Sequence, residues 1–270
     1  MGLISAAPRL RRRDLPWGTY ALGLWAAIVF LWMVVPVLMV IMMSFTDSEI
    51  LRFPPQGFSL RHYYTFLEST WLQPALLSLR YAALSSVTKI VLGLLASLAL
   101  VRGRFAGKGI INLILLSPLM IPPIIIAVAA YNVYVKLHLL GSMAGVVVAH
   151  TVLGTPTVIL VLTATLYRFD STLELAAMSL GASRLTTLWR ITLPLIRNGI
   201  AVAVVFAFLD SFNELIVTGF IVGTRSLTLP VQIYTGLRFS LSPVIAAVST
   251  LMVGATLLGL LGVASLGRRR

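Results

Sequence analysis

Several residue types are rare in this chain of 270 residues, and their scarcity narrows its class. Cysteine is absent, and only 11% of the residues are charged. Without cysteine the chain forms no disulfide bond, no thiolate metal site and no cysteine nucleophile. Soluble domains carry roughly 25% charged residues. With 59% hydrophobic residues and a mean hydropathy of +0.98, this composition predicts a membrane protein without a separate soluble domain.

Acidic residues are scarcer still, with 8 Asp and Glu against 21 Lys and Arg, so the formal net charge is +13. An excess of this size also occurs in proteins that bind nucleic acid. Here the basic residues fall between apolar runs, which is typical of cytoplasmic loops that face anionic lipid. We therefore expect the lipid bilayer, and not nucleic acid, as the surroundings of the chain.

Long hydrophobic runs are abundant. A helix needs about 20 apolar residues to cross a bilayer, and the chain has six such runs, at 20–43, 81–101, 109–134, 144–166, 199–222 and 244–266. The sequence therefore predicts an all-α polytopic membrane protein with six transmembrane helices. A single transmembrane domain would cover 20–266, between a basic N-terminus (1–19) and a basic C-terminus (267–270).

The distribution of Lys and Arg predicts the orientation. With the N-terminus inside, fourteen of these residues fall on the inner side and six on the outer side. This bias predicts that both termini are cytoplasmic. The first apolar run is too long for a signal peptide, so we expect it to remain as a membrane anchor.

Prolines interrupt the first and the third of the predicted spans. Pro36 lies in the first, and Pro118, Pro122 and Pro123 lie in the third. Proline removes a backbone donor and kinks a helix, and inside a membrane the freed carbonyls need neighbouring helices or a water-filled cavity. The kinks suit a protein with a pathway through it, and they equally suit helices shaped only for packing.

The longest cytoplasmic loop, 168–197, has the pattern of two short helices. Ser171 followed by Glu174 predicts a capping box at the start of the first, and Gly181 predicts a left-handed stop. Ser183 is expected to cap the second helix and Pro194 to mark its end. The side chains between are small or apolar, which suits either a groove on a partner protein or a helix lying on lipid: Leu175, Ala176, Ala177, Met178 and Leu180.

This loop resembles the EAA motif of binding-protein-dependent ABC transporter permeases, whose pattern is E-A-A, three residues, G, nine residues, I-x-L-P. The matching positions are Ala176, Ala177, Gly181, Ile191, Leu193 and Pro194. One position departs, because Leu175 stands where the motif has glutamate and Glu174 lies one residue earlier. The resemblance implies a coupling helix seated in a cleft of an ATPase subunit, with these residues as the ATPase-coupling site: Ser171, Glu174, Leu175, Ala176, Ala177, Leu180, Gly181, Ala182, Ser183, Ile191, Leu193 and Pro194.

The resemblance also implies the partners and the place of the protein. The implied partners are a second permease subunit that forms a heterodimer, a cytoplasmic ATPase dimer that binds ATP and Mg, and an external solute-binding protein. The implied location is the cell inner membrane, which the chain would cross several times. The chain itself is expected to be no enzyme and to hold no cofactor. Its one phosphate-loop-like stretch, Gly103–Lys108, has three residues between the glycines instead of four and lacks Ser or Thr after the lysine, so it fails as a nucleotide site.

The segment Ser211–Phe220, with Leu227–Pro230, most resembles the spermidine/putrescine (PotC-like) branch of that family. This resemblance implies an importer of polyamines or of a similar small cation. A sister branch that carries ferric ion, thiamine or another small solute is an alternative. A self-contained, ion-coupled secondary transporter is a second alternative, although the loop 168–197 would have no role in it.

Three residues that are formally charged at neutral pH fall within the predicted spans: Lys89, Asp210 and Glu214. Each costs about 2.5–3.5 kcal/mol on insertion scales, which makes it a functional candidate. Asp210 and Glu214 are four residues apart, so one face of the fifth span would present both beside Asn213 to a cationic substrate. Lys89 and Glu214 lie equally deep in the predicted spans, so the two could instead form a structural pair. The histidines show no metal-ligand spacing, and no metal site is expected.

Overall fold

The structure is a computed structural model that describes residues 17–68, 70–223, 227–239 and 242–268. Most of the predicted basic N-terminus, residues 1–16, and the last two residues of the C-terminus lie outside the described residues. In the described residues the regular secondary structure is helical, apart from one isolated bridge between Thr46 and Phe58. The α-helices are α1 Trp17–Ser44, α2 Arg61–Glu68, α3 Leu72–Arg102, α4 Lys108–Leu116, α5 Pro123–Lys136, α6 Met143–Arg168, α7 Thr172–Ser179, α8 Arg184–Thr187, α9 Leu193–Phe212, α10 Ile216–Val222, α11 Leu229–Phe239 and α12 Pro243–Arg268.

Within the described ranges, five helical segments are long and apolar enough to cross a membrane. They are α1, α3, α6, the continuous segment Arg184–Phe212, and α12. A sixth crossing requires Lys108–Met120 and Pro123–Lys136 to act as one broken span. The all-helical class is therefore confirmed, with five or six candidate spans.

The prolines of the third span produce a sharp bend. After α4 the chain forms a 3₁₀ turn, Ser117–Met120, and α5 then starts at Pro123. The two halves meet at 102°. Proline lacks the N–H that would continue the helix, but it is well tolerated at the first position of a new one. In the first span, by contrast, α1 continues through Pro36.

Two predicted spans have different bounds in the structure. α3 starts at Leu72, nine residues before the predicted start at Tyr81. The run 199–222 was predicted as one helix, but α9 ends at Phe212 and α10 starts only at Ile216. This break contains Asn213 and Glu214. An average of hydropathy over the run cannot detect the break, because the residues on both sides of it are apolar.

The centre of the protein is formed by α3, α6 and α9, which pack most extensively against one another. Small residues let these helices approach closely, as is usual between membrane helices. A Cβ added at Gly93 of α3 would lie 2.4 Å from Cγ1 of Val158 in α6. The adjoining core cluster is apolar and consists of Val158, Leu162, Ala203 and Ala207.

Candidate functional site

The loop between α6 and α9 contains the two short helices that the sequence predicts, α7 and α8. Gly181 separates them with a φ of +92°, a conformation that favours glycine. Its N–H bonds to the carbonyl of Met178, and the N–H of Ala182 bonds to the carbonyl of Ala177, both at 3.0 Å. These two bonds form a Schellman motif. The predicted glycine stop is confirmed.

The start of α8 also agrees with the sequence, because Oγ of Ser183 accepts a hydrogen bond from the N–H of Thr186 at 3.1 Å. The prediction that Pro194 ends this helix is wrong. A π-turn, Leu188–Thr192, joins α8 directly to α9, and Pro194 occupies the first turn of α9. The π-turn, in which the N–H of Leu193 bonds to the carbonyl of Leu188, lets the helix continue past Pro194, which has no N–H of its own.

The predicted capping box at the start of α7 is wrong as well. The side chain of Ser171 makes no capping bond. Instead Oδ1 of Asp170 accepts a hydrogen bond from the N–H of Thr172 at 2.9 Å. This backbone bond is the larger cause, and a side-chain bond from Thr172 the smaller, of a pKa of the Asp170 carboxyl below its usual value.

Glu174, the predicted partner in that box, turns inward. Its Oε2 lies 2.9 Å from Nε of Arg102 at the end of α3. Its Oε1 accepts a hydrogen bond of 2.8 Å from Oγ1 of Thr192, which is buried. The glutamate therefore joins α7 to two other elements, a tertiary role that its sequence neighbours do not reveal.

The outer face of α7 is apolar. Leu175 is 59% exposed and Leu180, directly after the helix, is 90% exposed. Ala176 is exposed, whereas Ala177 and Ala182 are half-buried. Of the remaining motif positions, Ile191 and Leu193 are half-buried and Pro194 is exposed. At Leu175 the chain thus presents a hydrocarbon surface where the motif has a carboxylate.

The ionisable residues of the spans form a different pair from the one expected. The side chain of Lys89 is completely buried, and its Nζ lies 2.6 Å from Oδ2 of Asp210. The same ammonium donates to the carbonyl oxygen of Ala207 at 3.2 Å. The alternative that Lys89 pairs with Glu214 is therefore not the arrangement found, because Asp210 takes that place. Its reasoning assumed one unbroken helix over 199–222, but Asp210 is in the last turn of α9 and Glu214 lies beyond its end.

Glu214 instead caps α10. Its Oε1 accepts from the N–H of Val217, and its Oε2 accepts from the N–H of Thr218, each at 2.7 Å. The hydroxyl of Thr218 adds a third bond at 2.6 Å. Both carboxylate oxygens are therefore already occupied. Asp210 and Glu214 do not share a helix face, because the helix ends between them.

A histidine supports this cap. His150 of α6 is buried, with Nε2 at 2.8 Å from Oγ1 of Thr218 and Nδ1 at 2.6 Å from Oγ of Ser211. The hydroxyl of Thr218 donates to Glu214, so Nε2 donates to Thr218. In the neutral imidazole Nδ1 then accepts from Ser211. Nε2 also lies 3.6 Å from Oε2 of Glu214. The sequence showed no metal-ligand spacing at His150 and named no partner for it; its position inside an apolar run was the signal for a buried polar partner.

A cavity of about 610 Å³ opens beside these charges. The break in the third span and the break after α9 both reach it. Asp210, whose side chain is 43% exposed, lines it together with Asn213 and Glu214. Counted at their formal charges, Lys89, Asp210 and Glu214 sum to one net negative charge. The full lining is Pro123, Thr157, Phe206, Leu209, Asp210, Asn213, Glu214, Leu215, Ile216 and Leu260.

Both the fold and the sequence of this chain are similar to those of known transport proteins. A solved bacterial ABC transporter involved in the import of the acidic polysaccharide alginate has the same fold, with a TM-score of 0.71 over 96% of this chain and 99% of that chain, at 16% identity. The broken apolar helices and the loop 168–197 thus belong to an ABC transporter permease fold. Residues 89–269 match the family described as binding-protein-dependent transport system inner membrane component. The chain belongs to this family.

Two relatives are similar over most of their length. The putrescine transport system permease protein PotI of Escherichia coli (strain K12) is 32% identical over 234 residues, which cover 84% of this chain and 83% of PotI. The spermidine/putrescine transport system permease protein PotC of the same strain is 28% identical over 226 residues, 83% of this chain and 85% of PotC. The chain is a permease subunit of an ABC importer, and the alternative of a self-contained secondary transporter is set aside.

Proposed function

We propose that this permease carries a polyamine, such as putrescine or spermidine, or a closely similar small cation. The observation that carries the proposal is the cavity between the two broken spans, with its exposed Asp210 and Asn213 and its one net negative charge. The names of PotI and PotC point to the same substrates.

Asp210 is the best candidate for contact with the substrate. Its side chain remains 43% exposed although one oxygen pairs with Lys89, so solvent or a second ammonium can still reach the carboxylate. Glu214 is only 14% exposed and its two oxygens already accept three bonds. Its part is then to add negative potential to the cavity. At 4 Å a pair of unit charges near a protein surface is worth about 4 kcal/mol, which suffices to favour a cation over a neutral solute.

The assembly follows from the family. A second permease subunit, in a heterodimer, would complete the translocation path in the inner membrane, with both termini cytoplasmic. An ATPase dimer holding ATP and Mg would dock on the loop 168–197, and an external solute-binding protein would deliver the substrate. The support within this chain is the apolar outer face of α7, on which Leu175 and Leu180 are exposed outside the spans.

The test uses the whole importer. The permease pair, the ATPase and the binding protein are reconstituted in liposomes, and ATP-dependent uptake is measured for putrescine, spermidine, thiamine and ferric ion. We expect uptake and stimulated ATP hydrolysis with at least one polyamine. If only thiamine or ferric ion is taken up, the polyamine proposal is refuted while the importer role stands.

A further inference from the structure

The inward-facing carboxylate of Glu174 lies where three helical elements meet. We propose that Glu174 is a positioning residue that fastens the coupling helix α7 to α3 and to the start of α9, so that a displacement of α7 moves both helices together. This inference rests on the proposed docking of the ATPase on the loop 168–197.

Each oxygen of the carboxylate holds a different element. Oε2 pairs with Arg102, the last residue of α3, and Oε1 accepts from Thr192, directly before α9. The side chain of Glu174 is only 13% exposed, so water screens these contacts weakly. The guanidinium of Arg102 also lies over the ring of Phe169, 5.6 Å from its centroid, which holds the cation in place for the glutamate.

The covalent connections of α7 would transmit motion less directly. On one side three residues join it to α6. On the other side it turns through Gly181 at positive φ, where no other atom lies within 4 Å of an added Cβ. A short helix between two such joints can tilt without moving its neighbours. The contacts of Glu174 remove that freedom.

The two helices that Glu174 reaches are also joined to each other beside the cavity, which α9 lines and α3 does not. α3 carries Lys89 and α9 carries Asp210, and these side chains form the buried pair. One carboxylate thus contacts the last residue of α3 and the residue before α9, while the middle of α3 and the last turn of α9 pair beside the proposed substrate path. Neighbouring residues of α7 thus face opposite ways. Glu174 points toward α3 and α9, while the exposed Leu175 offers the proposed ATPase an apolar contact.

The test separates coupling from assembly. Glu174→Gln is compared with Glu49→Gln, a matched control that removes an exposed ion pair with Arg61 on another loop. In the reconstituted importer we measure retention of the ATPase, ATP hydrolysis and polyamine uptake. For Glu174→Gln we expect the ATPase to be retained and to hydrolyse ATP, while uptake per ATP falls about fivefold or more, the lower end of usual coupling between linked sites. The control should leave the ratio unchanged.

A charge exchange provides the rescue. Glu174→Arg combined with Arg102→Glu restores an ion pair of reversed polarity, and we expect it to recover part of the uptake per ATP that either single change loses. Thr192→Val removes only the hydrogen bond from Thr192 to Glu174. It should lower the uptake per ATP less than Glu174→Gln does. This variant also decides the matter if Glu174→Gln does not assemble.

The proposal is overturned if uptake and ATP hydrolysis fall in proportion in Glu174→Gln and Thr192→Val, because that pattern indicates a loss of folded importer only. It is equally overturned if the uptake per ATP is unchanged in both. If the unaltered chain fails to retain any ATPase, the proposed function fails first, and the two failures are thereby told apart.

Discussion

Removing the carboxylate of Asp210 alone should destabilise the protein, and removing both members of its ion pair should not. Lys89 is completely buried, and its ammonium has only Asp210 and the carbonyl of Ala207 as hydrogen-bond acceptors among the described contacts. The change Asp210→Asn keeps the size of the side chain but leaves that cation without a counter-ion. The double change Lys89→Met with Asp210→Asn replaces the cation by an apolar chain of similar length.

The magnitude follows from the burial. Removal of one partner of a buried ion pair costs about 3–5 kcal/mol, whereas replacement by apolar residues of similar volume is often neutral. Because 43% of the Asp210 side chain is exposed, solvent offsets part of this cost and we take about 3 kcal/mol. For a chain of this size that loss corresponds to a fall of roughly 6–12 °C in melting temperature.

The assay is thermal unfolding of the detergent-purified permease, followed by size-exclusion chromatography after heating. We expect Asp210→Asn to melt about 6–12 °C below the unaltered protein, as estimated above, and the double variant to recover most of the difference. A single variant that melts like the unaltered protein refutes the pairing. So does a double variant that is as unstable as the single one.

The double variant then allows a clean transport measurement. It is expected to fold normally while lacking the exposed carboxylate of the cavity. Slower polyamine uptake by this variant would reflect the missing carboxylate of Asp210 itself, because the net charge of the three positions stays at one negative and folding is no longer disturbed. Uptake at the unaltered rate would remove Asp210 from the substrate path.

Two further changes test the local geometry. Gly181→Val forces a β-branched residue into a φ of +92°, at a cost of about 1–2 kcal/mol; we expect less ATPase to co-purify, and full retention would contradict the importance of this turn. His150→Leu leaves the hydroxyl of Ser211 without its acceptor and the hydroxyl of Thr218 without a donor, at a cost of about 1–3 kcal/mol. We expect a lower melting temperature of the permease, and an unchanged one would argue against the buried chain of hydrogen bonds from Ser211 to Glu214.

Features that depend on nearby residues were predictable from the sequence. The apolar runs, the broken third span, the stop at Gly181 and the cap at Ser183 each depend on the residues within a few positions. A glycine at positive φ or a proline acts through its own backbone, so its effect survives in any tertiary environment. These local signals were sufficient to locate the candidate coupling loop.

The pairings of charged groups were not predictable, because they depend on where helices end and what packs beside them. Lys89 and Asp210 are 121 positions apart. A choice between Asp210 and Glu214 required the knowledge that α9 ends at Phe212. Glu174 fitted a local capping box, but Arg102 and Thr192 compete for the same carboxylate and both come from other parts of the chain. Tertiary contacts prevailed over a local pattern worth only about 1 kcal/mol.

The continuity of one helix joins the two candidate sites. Arg184–Phe212 runs without interruption through α8, the π-turn and α9, a length of roughly 40 Å at 1.5 Å per residue. Its first residues belong to the coupling loop, and its last turn carries Asp210. A rotation of the loop would therefore reach the cavity through a single element, without passing through flexible connections. If α9 moves, Lys89 on α3 must move with it or lose its ion pair with Asp210. The contacts of Glu174 to Arg102 and Thr192 would keep the two helices together and so preserve this pair.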